Sequence, residues 1–417
     1  MNKRIFCEIL AIAFAVAAHA QSSTRSAYSQ YGIGLLSDQS SGFSRGMNGV
    51  GLGLRQGNIV NTLNPASYSS IDSLTMIFDL GISGQLTRFK EGSNTANAKT
   101  ASFDYGLGSF RLFRNVGMAF GILPLSNVGY NYTVTEPIKN SSTTTTATYT
   151  GSGGLHQVFL GAGWRVFRPL SIGVNASYLW GSLGRTVITS GTTEITSISR
   201  YYTASIRNYK LDFGLQWEQP FGANDVATLG LTFGLGHKLG DAKCQVSADD
   251  SKAEVVEKGY ALPMSYGAGI SWKHGMSLLV AADFTLQKWG SLDFPAMVNG
   301  KYQLQSGLLK DRYQAIVGAD YVPNPIGRKL VQRIHYRLGA GYTTPYYIVR
   351  DNNGPKEISL SAGIGLPLQN AYNNRSVLNI SAQWVHTSAK NMIQENTFRI
   401  NIGLTFNERW FAKWKVD

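Results

Sequence analysis

The stretch from Thr397 to Phe406, TFRINIGLTF, decides the fold of this chain. Its apolar side chains alternate with polar or small ones, at Phe398, Ile400, Ile402, Leu404 and Phe406. A period of two places alternate side chains on opposite faces of a β-strand. One face of this strand therefore suits lipid, and the other suits a wet or packed interior.

The same alternation returns in residues 73–83, 277–287 and 378–384. Soluble sheets also alternate, but membrane-spanning strands need about 9 to 11 residues, against about 5 to 6 in soluble sheets. Many segments of this chain are long enough to span. Aromatic residues lie toward the predicted strand ends, where the girdle of a membrane barrel lies: Trp164, Tyr178, Trp180, Trp272, Trp289, Trp384 and Trp410.

The connections alternate in length, as short periplasmic turns and long outer loops do in membrane barrels. Short turns are predicted at 114–115, 168–169 and 273–275, and polar loops at about 88–100, 136–146, 241–258 and 288–308. The strands between them are predicted at 73–87, 101–113, 116–134, 147–167, 170–188, 198–217, 226–240, 260–272, 276–288, 310–322, 332–349, 356–366, 376–387 and 396–407. The sequence therefore predicts an all-β transmembrane antiparallel barrel of about fourteen strands.

The composition agrees with a sheet that faces lipid. Charged residues make up 15% of the chain, against about 25% in soluble proteins. The formal net charge is +13, but the basic residues are scattered, which argues against a nucleic-acid partner. We expect them to meet anionic lipid or lipopolysaccharide headgroups at the outer membrane.

The first twenty residues predict an export signal. Lys3 and Arg4 precede an apolar run over 5–17, and Ala18-His19-Ala20 is a cleavage site. We expect the mature chain to begin at Gln21 and to reach the outer membrane by the Sec route. Cleavage leaves Cys244 as the one cysteine, which excludes a disulfide within the mature chain.

Residues 21–72 do not follow the strand pattern. They are rich in glycine and low in charge, which suits either a flexible periplasmic tail or a plug folded into the lumen. The segment has too many apolar residues for a solvated tail, and a barrel of this size has a lumen wider than its side chains fill. The sequence therefore favours a plug, followed by a barrel domain over 73–417.

The run Ser44 to Leu54, SRGMNGVGLGL, followed by Asn64-Pro65-Ala66, resembles the hatch of the FadL family of outer-membrane transporters for hydrophobic compounds. The resemblance implies fourteen strands and an N-terminal hatch that plugs the lumen. The residues that carry the hatch motif are Arg45, Gly46, Met47, Gly49, Asn64, Pro65 and Ala66. Residues 318–325 and 337–342 resemble later strand motifs of the family, and 26–32 resembles variants from Bacteroidota.

Residues 118–125 resemble the third strand of that family, in which a kink opens a lateral gap to the bilayer. Proline cannot donate to a strand ladder, so Pro124 marks either a strand end near the rim or a break at membrane depth. In the second case Ser126, Asn127 and Gly129 would line the gap.

Four charged residues fall at positions that the alternation places inward: Asp79, Asp104, Asp283 and Arg399. Charges on the lipid face cost about 2 to 4 kcal/mol at the midplane, so we expect these to pair with one another or with the plug. No histidine pair has metal-ligand spacing, and no nucleophile or dinucleotide motif has its required context. The sequence therefore predicts no enzyme, no cofactor and no metal.

Two functions remain open. The leading hypothesis is passive uptake of a hydrophobic small molecule, such as a long-chain fatty acid, with lateral release near Pro124. The alternative is a FadL-like barrel that has lost transport and is a structural subunit of a secretion or barrel-assembly complex. The aromatic and basic tail at 407–417 is predicted to be an interfacial anchor or a contact for a protein partner.

Overall fold

The structure is a computed structural model that describes residues 24–137, 144–191, 198–246, 254–349, 352–368 and 376–409. The predicted export signal at 1–20, Trp410 and most of the predicted tail lie outside these ranges. Among the described residues, no helix combines the length and the apolarity needed to cross a bilayer.

Fourteen strands form one closed antiparallel barrel, which confirms the predicted fold. They are β1 Thr75–Glu91, β2 Asn94–Phe113, β3 Val116–Pro137, β4 Thr144–Arg165, β5 Leu170–Gly191, β6 Ile198–Phe221, β7 Asp225–Gly234 with His237–Val246, β8 Glu254–Leu262 with Ser265–His274, β9 Leu278–Gln287, β10 Arg312–Tyr321, β11 His335–Thr343, β12 Lys356–Leu368, β13 Ser376–Ser388 and β14 Gln394–Arg409. The barrel closes because β14 pairs with β1, from Thr75 with Arg409 to Lys90 with Gln394.

The alternation in β14 matches its two faces. Phe398 and Ile400 are 49% and 45% exposed on the outside, whereas Asn401 and Thr405 are 5% and 2% exposed on the inside. The other strands repeat this arrangement, so the apolar side chains form an outward band and the polar ones face the lumen. An outward apolar band is the arrangement that hydrocarbon requires.

Two neighbouring strands are interrupted at the same level. In β7 the break is at Leu235–Gly236, and in β8 it is at Pro263–Met264. Below the break the two strands pair from Ser265 with Gly234 onward, and above it His237 pairs with Leu262.

Several predicted loops are wrong in extent, because strand pairing continues through polar sequence. The predicted loop at 88–100 is a hairpin whose strands reach Glu91 and Asn94. The predicted loop at 288–308 contains a 3-10 turn, Trp289–Ser291, and a hairpin of Phe294–Val298 with Lys301–Gln305. Ladder hydrogen bonds use the backbone, so a polar sequence does not end them.

Two further differences concern strand ends. Trp289 does not belong to an outer girdle, because it is 2% exposed and packs in an apolar cluster with Tyr346. The last strand does not end near Phe406, because β14 stays paired with β1 up to Arg409. The predicted tail is therefore part of the wall over its first three residues.

Candidate functional site

Residues 24–72, here called the N-terminal segment, pack against the lumenal face of the barrel. The segment contains a 3-10 helix Ala27–Gln30, a short strand Leu35–Leu36, a helical turn Gly42–Arg45 and a 3-10 helix Pro65–Ser70. Its apolar side chains are buried, with Met47, Val50 and Leu54 fully so. These residues join lumenal side chains of β9 and β10 in one apolar cluster.

A ring of lumenal glycines, here called the glycine belt, lets the segment lie directly against the wall. A Cβ at Gly163 would lie 2.5 Å from the carbonyl oxygen of Pro65, and one at Gly318 would lie 2.6 Å from the Cβ of Met47. No real Cβ atom fits at such distances, so only glycine admits the segment. The belt comprises Gly117, Gly163, Gly173, Gly214, Gly230, Gly269, Gly318, Gly339, Gly363 and Gly403.

Four members of the belt are direct neighbours on adjacent strands. Gly117 pairs with Gly163, Gly163 with Gly173, and Gly173 with Gly214. The 3-10 helix Pro65–Ser70 lies on these four positions. Glycine in a strand often marks a site where another backbone approaches closely, and the belt provides such sites on ten of the fourteen strands.

The hatch-motif residues supply the contacts on the segment's side. Gly46 lies against Gly363, and the Met47 backbone lies against Gly339. Gly49 has a φ of +89°, which favours glycine at that turn. The side chain of Asn64 accepts a hydrogen bond from the backbone N–H of Ala66, 3.1 Å away, and so caps the 3-10 helix that starts at Pro65.

Arg45 links the segment to the wall through a buried ion pair. Its Nη1 donates to Asp104 Oδ2 at 2.5 Å, and both residues are buried. Ser83 and Ser102 donate to the other oxygen of Asp104. Burial opposes the charge on Arg45, but attraction by Asp104 and Asp38 raises the pKa of its guanidinium. A charge-assisted pair with satisfied oxygens holds the segment at β2.

Asp283 holds the segment on the opposite wall. Its Oδ2 accepts the backbone N–H groups of Gly51 and Leu52 at 2.6 and 2.9 Å. The other two predicted inward charges have wall partners instead. Tyr105 donates to Asp79 at 3.2 Å, and Arg399 donates to Gln85 and Gln383.

Two further buried charge groups were not predicted from the sequence. Arg337 donates to Asp320 at 2.9 Å, and its guanidinium lies 4.1 Å from the ring centroid of Phe43 in the segment. Arg55 lies 3.2 Å from Glu218; burial lowers the pKa of Arg55 to about 10, and Glu218 opposes that shift. The alternation of side chains along the strands could have indicated the first group, because Asp320 and Arg337 occupy lumenal positions of β10 and β11 directly across from each other.

The pairing of β2 with β3 stops partway along the two strands and leaves a seam between them. Their pairing runs from Phe113 with Val116 only as far as Gly106 with Ile122. Pro124 follows within the strand, not at its end, and a bulge at Leu125 interrupts the pairing of β3 with β4. The alternative that Pro124 ends a strand is therefore wrong. Proline has no N–H to offer across the seam.

The N-terminal segment occupies this edge of β3. Leu35 pairs with Asn127 and Leu36 with Ser126 as an additional antiparallel strand. The N–H of Ser37 donates to the carbonyl of Leu125 at 3.0 Å.

Side chains extend the contact along β3 in both directions. Gln39 donates to the carbonyl of Pro124 at 2.7 Å, and Ser29 both accepts from the N–H of Gly129 and donates to its carbonyl. The predicted gap residues therefore contact the segment itself.

An aromatic cluster covers the segment at the end of the barrel with the longer loops. Tyr346 and Tyr347 come from the loop after β11, and Trp289 comes from the loop after β9. The hydroxyl of Tyr346 donates to the carbonyl of Gly34, and the ring of Tyr347 stacks on that of Tyr31 with centroids 5.2 Å apart. The lumen is therefore covered on this side by apolar contacts.

A cavity between the segment and the wall has a mixed lining that includes nine charged side chains. The volume of the cavity is about 460 Å³. The charged side chains come from both the segment and the wall: Asp38, Arg45, Asp104, Lys210, Asp212, Arg312, Glu357, Glu395 and Arg399. Such a lining suits water and ions better than an apolar solute. Within the described ranges, no group of three or more His, Cys, Asp or Glu side chains is placed to hold a metal ion.

This architecture is that of FadL-type barrels. The P. putida toluene transporter TodX matches with a TM-score of 0.60 and 16% identity, over 89% of this chain and 98% of that one. The Ralstonia pickettii toluene transporter TbuX gives 0.59 and 16%, over 89% and 99%. A Pseudomonas aeruginosa FadL homologue gives 0.56 and 13%, over 89% and 98%. These likenesses confirm the predicted FadL-like fold.

A family model that matches the whole sequence identifies the particular family. The BamG family model matches residues 1–417, and the chain belongs to the BamG family. No curated protein matches the chain. The likeness of residues 26–32 to Bacteroidota variants stays a prediction.

Proposed function

We propose that this chain is a structural subunit of an outer-membrane complex, in which residues 21–72 are a permanent plug. The observation that carries the proposal is the fit of the N-terminal segment on the glycine belt. Backbone packed this closely cannot leave the lumen unless the inner contacts of most strands are broken. The pairing of Leu35 and Leu36 with β3 supports the same conclusion, because it occupies the edge that a lateral exit would use.

Membership of the BamG family favours a role with protein partners in a complex, and a barrel-assembly complex is the first setting we consider. The mixed, charged lining of the lumenal cavity agrees, because uptake of a hydrophobic solute calls for a predominantly apolar pocket beside the plug. A secretion complex is a second setting for the same structural role. In either setting the barrel displays loops and an outer wall to partners and needs neither a substrate nor catalysis.

Uptake of hydrophobic small molecules is the second candidate. It is favoured by the fold shared with the toluene transporters TodX and TbuX, and by the seam at which β2 and β3 stop pairing. A solute leaving there would have to displace residues 35–39 from β3. Uptake therefore requires a movement of the segment, whereas the structural role requires none.

One purification separates the two candidates. The tagged full chain is extracted from native outer membranes, and its proteins and small molecules are quantified by mass spectrometry. A structural subunit brings a protein partner in near one-to-one amount and no enriched hydrophobic solute. A barrel without protein partners that carries a fatty acid or an aromatic hydrocarbon would overturn the structural role and support uptake.

Export is part of the same proposal. We expect a leader cleaved after Ala20, which places Gln21 at the mature N-terminus, and a final location in the outer membrane. The intact mass of the purified chain tests the cleavage site directly. A mass that includes residues 1–20 would contradict it.

A further inference from the structure

The double break in β7 and β8 creates a cleft on the outside of the barrel. Below the break, Met264 continues the ladder to β9 by accepting the N–H of Lys288 at 2.9 Å. Above it, β9 has ended, and the hairpin of residues 294–305 lies beside β8, where the N–H of Tyr302 donates to Glu254 at 2.6 Å. Between the strand and the hairpin remains a cleft of about 580 Å³.

The cleft has an apolar floor and a basic rim. The floor is formed by Ala261, Leu262, Met264, Leu286, Leu292 and Leu304. The rim carries three ammonium groups, those of Lys238, Lys258 and Lys288, and one carboxylate, Asp293.

The charges of the rim do not cancel. Lys288 is paired with Asp311. Lys238 and Lys258 are exposed, and among the described residues neither has a carboxylate within 4.0 Å. Asp241 lies near Lys258 but accepts its backbone N–H, not its ammonium group. With Lys288 paired to Asp311, the rim therefore presents two lysines and one carboxylate, Asp293, above an apolar surface.

The height of the cleft on the outer surface of the barrel shows which region of the membrane it faces. A row of aromatic side chains runs across the outer surface just below it, because Phe213 pairs with Phe233 and Phe233 with Tyr266. The rings of Phe233 and Tyr266 lie 5.5 Å apart, and Tyr266 itself lines the cleft. Aromatic rows of this kind lie at the interface between hydrocarbon and headgroups. The floor is thus in reach of acyl chains, and the lysines are at the height of headgroups.

We propose that this cleft binds a phosphorylated, multiply acylated glycolipid of the outer leaflet. The acyl chains lie on the floor, and the phosphates meet Lys238 and Lys258. A lysine near an anionic lipid surface contributes about 1 kcal/mol, so two lysines at one site select an anionic headgroup over a zwitterionic one. The inference rests on the barrel's place in an outer membrane and is independent of whether the barrel transports or assembles.

The test uses the full chain in detergent micelles, with bisphosphorylated lipid A as the probe and native mass spectrometry as the readout. The variant K238Q/K258Q is compared with wild type and with K90Q/K99Q, which removes two exposed lysines from β1 and β2 on the far side of the barrel. We expect the cleft variant to bind lipid A at least about tenfold more weakly, and the control to bind as wild type does. Phosphatidylethanolamine binds none of the three selectively.

Two results would overturn the proposal. One is equal loss in both double variants, which means that binding follows net charge. The other is no loss in the cleft variant, provided that its barrel resists SDS unfolding as wild type does. Inorganic phosphate at millimolar concentration should fail to displace lipid A, because the floor also holds the acyl chains; displacement would show a simple phosphate site. The result with lipid A does not change which protein partners co-purify with the chain. The lipid site and the structural role are therefore tested independently.

Discussion

The two halves of the N-terminal segment are held in different ways. Residues 40–72 lie on the glycine belt and are tied by buried charges, with Arg45 on Asp104 and the N–H groups of Gly51 and Leu52 on Asp283. Residues 24–39 contact β3 where its pairing with β2 has stopped, and aromatic side chains of the loops cover them. Residues 40–72 are part of the packing of the wall. Residues 24–39, in contrast, could detach and leave every ladder between the fourteen strands paired. Any movement of the kind that uptake would require is therefore confined to residues 24–39.

The largest effect is expected from Arg45→Met. The change leaves Asp104 buried without its positive partner, and breaking a buried pair costs about 3 to 5 kcal/mol. The measurement is the free energy of unfolding by urea in detergent, with the exposed Arg88→Met as control. If the loss comes from the pair, Arg45→Met with Asp104→Leu should recover much of it. An unchanged midpoint in the single variant would show that the segment is not held there.

Gly173→Val should have the second-largest effect on stability. A Cβ at this position would lie 2.5 Å from the backbone nitrogen of Ala66, and overpacking of this kind costs about 1 to 3 kcal/mol. We expect faster trypsin cleavage within residues 40–72 and a lower unfolding midpoint. Gly84→Val is the matched control, since a Cβ there meets no atom within 4 Å. Similar behaviour of the two variants would contradict close packing on the belt.

Asn64→Ala should lower the free energy of unfolding by less than the two preceding changes. The side chain caps Ala66 and also donates to the carbonyls of Leu52 and Leu215, at 2.9 and 3.2 Å. Loss of the cap and of the donor for buried carbonyls should lower the free energy of unfolding by about 1 to 2 kcal/mol. Asn64→Asp separates the two roles, because it keeps the cap acceptor and removes the donor. Full stability of the alanine variant would argue against a structural role for this motif.

Ser37→Pro should have the smallest effect on the barrel and should act mainly on the contact between the N-terminal segment and β3. It removes the N–H that donates to Leu125, a loss of about 1 kcal/mol, while β3 keeps its ladder with β4. We expect residues 24–39 to become accessible to protease and the conductance in planar bilayers to rise. Ser37→Thr keeps both the N–H and the hydroxyl that accepts from Asn127 at 2.7 Å, and it should behave as wild type does. If protection and conductance stay unchanged in the proline variant, residues 24–39 do not seal the seam.

The barrel could be predicted from the sequence because its signal is local. Phe398, Ile400 and Ile402 alternate with polar neighbours, and each face follows from the strand period alone. Strand extent was harder, since the polar hairpin around Glu91 and Asn94 stays paired outside the apolar band. Polarity marks where lipid ends, not where backbone pairing ends.

The interior could be predicted only in part. The inward parity of Asp104 and Asp283 is visible in the sequence, but their partners Arg45 and Gly51 lie more than fifty residues away along the chain. The pairing of Leu35 with β3 depends on where the β2–β3 ladder stops, and nothing around Gly106 marks that position. Long-range contacts of this kind are set by closure of the barrel and not by local pattern.

During insertion into the membrane, the paired glycines Gly117, Gly163, Gly173 and Gly214 leave a groove across four consecutive strands of the growing sheet. Only the 3-10 helix Pro65–Ser70 fills it, and that helix precedes every wall strand in the chain. The final seam, β14 to β1, encloses it. A cylinder that closed before residues 65–70 were seated would keep an unfilled groove along its inner wall, so seating of the segment and closure of the sheet depend on each other.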